Sequence, residues 1–339
     1  MELRNHSPFP PLLFQSRDVE RHDFGVVVLR GTFDLAANRP LTPAVQQDPL
    51  VLADEYLGEP GRSSILVENN LAPYKPRGDL QIIADAVAPG GIPQDHWDAA
   101  VRFGSQIHRF SVTGPRKWTR SLRGWTLGAP RPTVRVPVIY ENAFGGTIRT
   151  KDVPESSYEG NPVGKGWGLN RLPRDLVEAD APSLVPFGRY NFSVDDELPV
   201  VGLLPIPPQW KKRRDFAGTF STYWEKTRWP DLPEDFRFDF YNSSPLQFSD
   251  GGFFHGNEEL EFLNLHAISP LRIQLPDIQL HGLVRCLNGQ ILPTPINLDT
   301  VSIDLKQNRV YLVWRGIFPV DNPIRVFEVR LRAPDYLFA

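Results

Sequence analysis

Cysteine is nearly absent from this chain. Cys286 is the single cysteine among 339 residues, which excludes an internal disulfide and a cysteine-based metal cluster. It stands in the alternating run HGLVRCL, a context that predicts a buried, unreactive thiol. The 7 histidines show none of the spacings of a zinc site. We therefore expect neither a metal nor any other cofactor.

A charge excess, a long apolar run and a secretory start are also missing. The net charge of -3 favours neither nucleic acid nor a membrane as a partner. No run approaches the ~18 apolar residues of a membrane-spanning helix, and the first residues lack the pattern of a signal peptide. We expect a cytoplasmic protein.

Recognisable catalytic motifs are missing as well. There is no GxSxG nucleophile, and NPVGKG lacks the Ser or Thr that follows lysine in a phosphate-binding loop. Asp79, Glu141 and the Glu258/Glu259 pair stand beside turns, as the carboxylates of glycosidases often do, but the sequence brings no two of them together. The preferred interpretation of Glu141 is an acceptor for backbone amides of the neighbouring glycines.

Proline and glycine are abundant, with 34 and 26 residues. Frequent proline between short apolar runs excludes long helices and predicts a mainly β protein of many short strands. The runs FGVVVLRGTFDL, DLQII, WDAAVRF with IHRFSVTG, and VSIDLKQNRVYLVWRG predict strands and two hairpins, and a short strand is expected near Val51. A single short helix is predicted over residues 220–228, capped by Thr219 or Ser221 and stopped at Trp229-Pro230.

Changes in composition and hydrophobic pattern divide the sequence into three parts. Residues 1–150 predict an N-terminal β lobe, residues 151–245 a Pro/Gly-rich connecting region that contains the helix, and residues 246–339 a C-terminal β lobe. We expect β-sandwich-like lobes of short antiparallel strands, or the same strands interlocked as one compact unit.

Two glycine-rich corners, VRVPVIYENAFGG and NPVGKG, stand close together in the centre of the chain. Their aromatic and cationic side chains either fill the core beneath the turns or form a protein-binding surface. The candidate partner-binding or motif residues are Trp118, Tyr140, Glu141, Asn142, Phe144, Gly145, Gly146, Asn161, Gly164, Lys165, Gly166 and Trp167.

Seven segments between about Phe24 and Val320 carry a family resemblance. They are KPRGDLQIIADAVAPGG, VTGPRKW, VPVIYENAFGG, NPVGKG, RRDFAGTF, RWPDLPEDFRFDFYNSSPLQ (ending at Gln247) and DTVSIDLKQNRVYLVWRG. Together they resemble the family called domain of unknown function 2169, found among bacterial type VI secretion proteins. Gly78 stands where the family has threonine, and Ser221 replaces an aspartate.

The resemblance implies a non-enzymatic adaptor or chaperone. Such a protein binds a type VI effector and loads it onto a spike protein of the VgrG or PAAR type, with no small-molecule substrate. Phe144, Lys165 and Trp167 are the residues expected at such a contact. The alternative is a carbohydrate-active hydrolase that uses Glu141, or a carbohydrate-binding module whose surface tryptophans stack on sugar.

Overall fold

Strands account for most of the regular structure. The computed structural model describes residues 1–37, 39–151, 154–246 and 252–334, so Gln247 lies outside the described residues. The strands are β1 (Glu2–Asn5), β2 (Pro11–Arg17), β3 (Asp23–Asp34), β4 (Thr42–Pro43), β5 (Glu55–Tyr56), β6 (Ile65–Val67), β7 (Asp79–Ile83), β8 (Asp85–Val87), β9 (His96–Phe103), β10 (Gln106–Thr113), β11 (Lys117–Ser121), β12 (Gly124–Leu127), β13 (Arg135–Pro137), β14 (Phe144–Gly145), β15 (Thr147–Ile148), β16 (Ser156–Ser157), β17 (Lys165–Gly166), β18 (Glu178–Asp180), β19 (Leu184–Pro186), β20 (Glu259–Leu263), β21 (Leu271–Gln274), β22 (Gln279–Cys286), β23 (Ile291–Asp304), β24 (Arg309–Pro319) and β25 (Ile324–Arg332).

Helices in the described residues are short. The α-helices are α1 (Lys211–Arg214) and α2 (Thr222–Thr227), and the 3-10 turns are Pro89–Gly91, Tyr140–Asn142, Leu169–Arg171 and Phe238–Tyr241. The predicted mainly β fold is thus confirmed, as expected for a chain in which proline recurs too often for long helices.

The larger of two main sheets joins the two ends of the chain. Its nine strands follow the order β1-β25-β22-β23-β24-β3-β2, with β4 paired to β3 and β7 paired to β23. The long strand β23 pairs first with β22 and then, through residues 300–304, in parallel with β7. The predicted hairpin of β23 and β24 is confirmed, with Asp304 opposite Arg309 at its turn.

The second sheet has five strands in the order β19-β10-β9-β20-β21. The predicted hairpin of β9 and β10 is confirmed, because Phe103 and Gln106 pair across the Gly104-Ser105 connection. Strand β20 pairs with β9, so this sheet also combines residues from before position 150 and after position 246.

One hydrophobic core contains side chains of both main sheets. The large sheet contributes Trp314, Phe327 and Ile303, and the five-stranded sheet contributes Phe110 and Phe262. Burial of this shared apolar surface holds the sheets together. The three-part division of the chain stays a prediction, but residues of both predicted lobes enter the same sheets and the same core.

Two details of the predicted secondary structure are wrong. Val51 is not in a strand, since the short strands of that region are β4 and β5. Helix α2 has the predicted place and cap, with the Ser221 hydroxyl accepting a hydrogen bond from the Trp224 N–H at 3.2 Å, but α1 was not predicted. Its sequence KKRR has no apolar periodicity from which a helix can be inferred.

Candidate functional site

The two glycine-rich segments form one structure, which we call the glycine corner (residues 140–146 and 161–167). After the turn Tyr140–Asn142, strand β14 pairs in parallel with β17. The Lys165 N–H donates to the Ala143 carbonyl at 2.9 Å, and the Trp167 N–H donates to the Gly145 carbonyl at 3.0 Å. The sequence indicated two turns, and the structure joins them.

Glycine is required in this corner by close backbone contacts. Gly145 has a φ of 145°, and a Cβ there would lie 2.1 Å from the Asn161 carbonyl oxygen. A Cβ on Gly164 would lie 2.7 Å from the Ala143 carbonyl oxygen. The Asn161 side-chain amide donates to the carbonyls of Tyr140 (2.9 Å) and Phe144 (3.0 Å). Asn161 therefore links both halves of the corner.

The large aromatic side chains of the corner point inward. Tyr140 and Phe144 are 2% and 3% exposed, and the neighbouring Trp118 is 2% exposed. The Tyr140 hydroxyl donates to the Leu204 carbonyl at 2.8 Å, and its ring packs edge-on against Trp210 at 4.8 Å. Burial raises the pKa of Tyr140, so its hydroxyl stays protonated and serves as a structural donor.

The outer side of the corner carries Asn142, Lys165 and Trp167, which are half-buried. The Lys165 ammonium donates to the Asn142 side-chain oxygen at 3.3 Å, and the Arg171 guanidinium lies 4.8 Å from the Trp167 ring centroid. Of the three residues expected at a partner contact, Lys165 and Trp167 are reachable from solvent. Phe144 is not, because it packs beneath the turn against Tyr158.

Glu141 makes its hydrogen bonds with a different part of the chain from the one we expected. One carboxylate oxygen accepts from the Ser64 N–H at 2.7 Å and the other from the Ser64 hydroxyl at 2.6 Å. The expected acceptor role is found, but the donors belong to Ser64 and not to the glycine amides. Of the other carboxylates considered, Asp79 forms an ion pair with Lys75 and Glu258 accepts from the Gly256 N–H.

A second polar structure lies inside the protein beside β7 and β23. We call it the charge cluster, and it consists of Glu68, Lys75, Asp79, Arg213, Asp299 and Arg315. Three cations face three anions, so the formal charges cancel. All six residues are at most 8% exposed.

Lys75 is the centre of the charge cluster. Its ammonium lies 2.7 Å from Asp79 and 3.3 Å from Glu68, and it donates to the Thr300 hydroxyl at 3.2 Å. The Thr300 hydroxyl donates in turn to Asp299 at 2.8 Å. Burial opposes the charged form of Lys75, but the surrounding carboxylates outweigh burial and raise its pKa.

Two arginines complete the charge cluster. The Arg213 guanidinium contacts Glu68 at 2.7 Å, and the Arg315 guanidinium contacts Asp299 at 2.6 Å. Arg213 also donates to the Ile206 carbonyl at 2.7 Å. The cluster therefore ties helix α1 and the preceding loop to the large sheet.

Asp79 holds the region after residue 240 to the same sheet. It accepts from the Ser243 N–H at 3.0 Å and from the Asn242 side-chain amide at 3.0 Å. Burial alone would raise the pKa of Asp79, but Lys75 and these donors outweigh it and hold the pKa below its usual range. The cavity beside the cluster has a volume of about 10 Å³, which leaves no room for a substrate.

The sequence did not reveal the charge cluster because its members are far apart along the chain. Lys75 and Asp79 are in KPRGD, Asp299 is in DTVSID and Arg315 is in WRG. Each of these segments carries the family resemblance. The available signal for a buried charge was a charged residue in an otherwise apolar β segment. The pairing of these charges is a tertiary feature.

The described ranges hold neither a cluster of metal-ligating side chains nor a membrane-spanning helix. Residues 1–37, 39–151, 154–246 and 252–334 contain no group of three or more His, Cys, Asp or Glu residues placed to hold a metal ion. Within the same ranges, no helix has the length and apolarity that a membrane crossing requires.

Both structures lie within a single family match. The family model described as "Uncharacterized protein conserved in bacteria (DUF2169)" matches residues 20–315. The chain belongs to the DUF2169 family. No curated protein and no solved structure matches the chain. The glycine corner and the charge cluster are thus features of the DUF2169 region of the protein.

Proposed function

We propose that the protein is a non-enzymatic adaptor or chaperone that binds a type VI secretion effector in the cytoplasm and loads it onto a VgrG or PAAR-type spike protein. The observation that carries the proposal is an exposed group of aromatic side chains around helix α2. Phe220, Tyr223 and Trp229 are 59%, 65% and 68% exposed, and we call them the aromatic ridge. Tyr, Trp and Phe are enriched at protein–protein contacts.

The aromatic ridge stands on a rigid base. The Trp224 ring packs edge-on against Phe220 at 4.8 Å, and its indole N–H donates to the Asp231 carbonyl at 2.8 Å. Asp231 forms ion pairs with Arg17 at 3.0 Å and Arg21 at 3.1 Å. These contacts hold Phe220 and Trp224 in place, and Tyr223 and Trp229 extend from this base into solvent.

The rest of the molecule supports a binding role better than a hydrolytic one. Both oxygens of Glu141 accept from Ser64, so position 141 offers no free carboxylate to the hydrolase alternative. The family match supports membership of DUF2169, and the resemblance to type VI secretion proteins supplies the partner class.

The test is co-expression with a type VI effector from the same genome, followed by co-purification and a secretion assay in a deletion strain. We expect the effector to co-purify and its secretion to depend on this protein. We expect the double variant Tyr223→Ala/Trp229→Ala to bind the effector about tenfold more weakly or worse, because aromatic anchors dominate interface energies. Phe187→Ala is the matched control, because Phe187 is an aromatic of similar exposure, 51%, outside the ridge.

Two results would contradict the proposal. An effector that is soluble, stable and secreted without this protein removes the adaptor role. Equal binding by the double variant and by Phe187→Ala removes the aromatic ridge as its contact surface.

A further inference from the structure

Arg116 stands where the backbone is fixed from both sides. The Arg131 N–H donates to the Pro115 carbonyl at 3.0 Å, and the Ala181 N–H donates to the Arg116 carbonyl at 3.1 Å. A Cβ on Gly114 would lie 1.9 Å from the Arg131 carbonyl oxygen, so glycine is required there. These contacts direct the Arg116 side chain to one place.

The guanidinium of Arg116 is buried but only partly paired. The residue is 6% exposed, and Nη1 donates to the Tyr190 carbonyl at 2.7 Å. The guanidinium carbon lies 5.1 Å from the Phe192 ring centroid. Nε and Nη2 are shielded from water and have no hydrogen-bond partner among the described residues.

Three other arginines among the described residues are buried, and all have better partners than Arg116. Arg30, 7% exposed, donates to the Pro49 carbonyl at 2.6 Å and lies 4.0 Å from the Tyr311 ring centroid, and none of its nitrogens is both buried and unpaired. Arg213 and Arg315 are each 4% exposed, and each contacts a carboxylate, at 2.7 Å and 2.6 Å respectively. At Arg116 burial lowers the pKa to about 10, with no carboxylate acting against it. A buried cation without a counter-charge destabilises a fold, so its presence needs a reason.

We propose that the Nε–Nη2 edge of Arg116 is a binding site for a carboxylate or another oxyanion. These two groups are parallel donors on one edge of a planar guanidinium, and they match two oxygens of a single anion. A bound anion supplies both missing acceptors and neutralises the buried charge. The site is independent of the aromatic ridge and of the proposed adaptor function.

Tyr190 and Phe192, which cover the guanidinium, belong to residues 187–197. The described structure has neither strand nor helix there. The segment is held to the five-stranded sheet by the Tyr190 hydroxyl, which donates to Asp98 at 2.6 Å, and by the Gly188 N–H, which donates to the Ser111 hydroxyl at 2.9 Å. Entry of an anion requires movement of this segment and leaves the sheets in place. The anion is either free in solution or an acidic side chain of a partner protein, and the chemistry at Arg116 is the same.

Calorimetric titration with three probes distinguishes the two sources. The probes are sodium phosphate, sodium acetate and N-acetylglutamate amide, with N-acetylglutamine amide as the neutral control.

We expect saturable binding of at least one probe. We expect Arg116→Lys to bind that probe about tenfold more weakly or worse, because an ammonium cannot form the two-donor fork. Arg109→Lys should keep the affinity, since Arg109 is an exposed arginine near an aromatic ring, 5.7 Å from Phe187. Tighter binding of the glutamate derivative than of acetate and phosphate indicates a partner's side chain, and binding of phosphate or acetate that is as tight or tighter indicates a free anion.

Failure of all three probes to bind overturns the proposal, as does equal affinity in Arg116→Lys. Where Arg116→Lys does not fold, Arg116→Met keeps the length of the side chain and removes the unpaired charge. Arg116→Met also loses the hydrogen bond to the Tyr190 carbonyl, so the informative quantity is the change in Tm on addition of phosphate. We expect phosphate to raise the Tm of the wild type and not that of Arg116→Met. An equal rise in both proteins contradicts the proposal.

Discussion

The glycine corner and the charge cluster are both buried junctions, yet they are built on opposite principles. In the corner, backbones approach so closely that Gly145 has no space for a Cβ, and the contacts are neutral hydrogen bonds from Asn161. In the cluster, long side chains reach across the fold and their opposite charges compensate each other. The corner is therefore sensitive to shape, and the cluster is sensitive to charge.

Removal of one charge from the cluster should have the largest effect. Asp79→Asn leaves the buried Lys75 without its nearest counter-charge, and loss of one partner of a buried ion pair costs about 3 to 5 kcal/mol. Urea unfolding measures this loss. The control Lys117→Met breaks the exposed pair with Glu178, where both side chains are more than half exposed, and should cost at most about 1 kcal/mol. Equal losses in the two variants would show that the cluster is not a charge-sensitive junction.

Addition of one methyl group to the corner should have the next largest effect. Gly145→Ala combines a φ of 145° with a Cβ 2.1 Å from a carbonyl oxygen, and we expect a loss of about 3 kcal/mol in the free energy of unfolding. Gly91→Ala is the matched control, because Gly91 also has a positive φ, 68°, but nothing lies within 4 Å of the added Cβ. It should lose only about 1 kcal/mol. A tolerated Gly145→Ala would refute the steric account of the corner.

Loss of a single neutral hydrogen bond should have a smaller effect. Tyr140→Phe removes the donor to the Leu204 carbonyl and leaves that carbonyl buried, at a cost of about 1 to 2 kcal/mol. Tyr223→Phe removes an equivalent hydroxyl from a residue that is 65% exposed, and thermal unfolding should not distinguish it from the wild type. A stable Tyr140→Phe would mean that packing against Trp210 alone holds the ring.

A decrease in pH should weaken the charge cluster through Asp79. The pKa of Asp79 is lower in the folded protein than in the unfolded chain, so its stabilisation is complete above the unfolded pKa of about 4 and is lost as the pH falls through the folded pKa. By pH 3 this loss amounts to at most about 1.4 kcal/mol. Unfolding experiments between pH 7 and pH 3 should show a steeper decrease for the wild type than for Asp79→Asn. Identical slopes would exclude Asp79 as a source of the acid sensitivity.

Local sequence patterns predicted much of the secondary structure. The hairpin of β23 and β24 has alternating apolar residues around a polar turn, and helix α2 has a capping serine followed by a stop at proline. Such signals act over a few residues, so they are visible without a tertiary structure. Helix α1 lacks them, and the basic run KKRR becomes helical where Arg213 reaches Glu68.

The candidate sites were predicted less completely. The glycines at positions 145 and 146 marked a turn, but not its pairing with residues 165 and 166. Glu141 was expected to accept hydrogen bonds near the corner, yet its donors belong to Ser64, 77 residues away in the chain. The sequence also does not show that Trp229 is exposed and Trp118 is buried, because both are tryptophans that stand beside polar residues.

The sequence by itself determined the mainly β character, the individual hairpins and the position of the turn at Gly145 and Gly146, because proline content, alternation and turn residues are local properties. Only the tertiary structure decided which charges meet. Lys75 and Thr300 are 225 positions apart, and they come together because β7 pairs in parallel with the end of β23. Pairing between distant strands depends on how the whole core packs, and that is why the charge cluster and the unpaired edge of Arg116 appear only in the folded molecule.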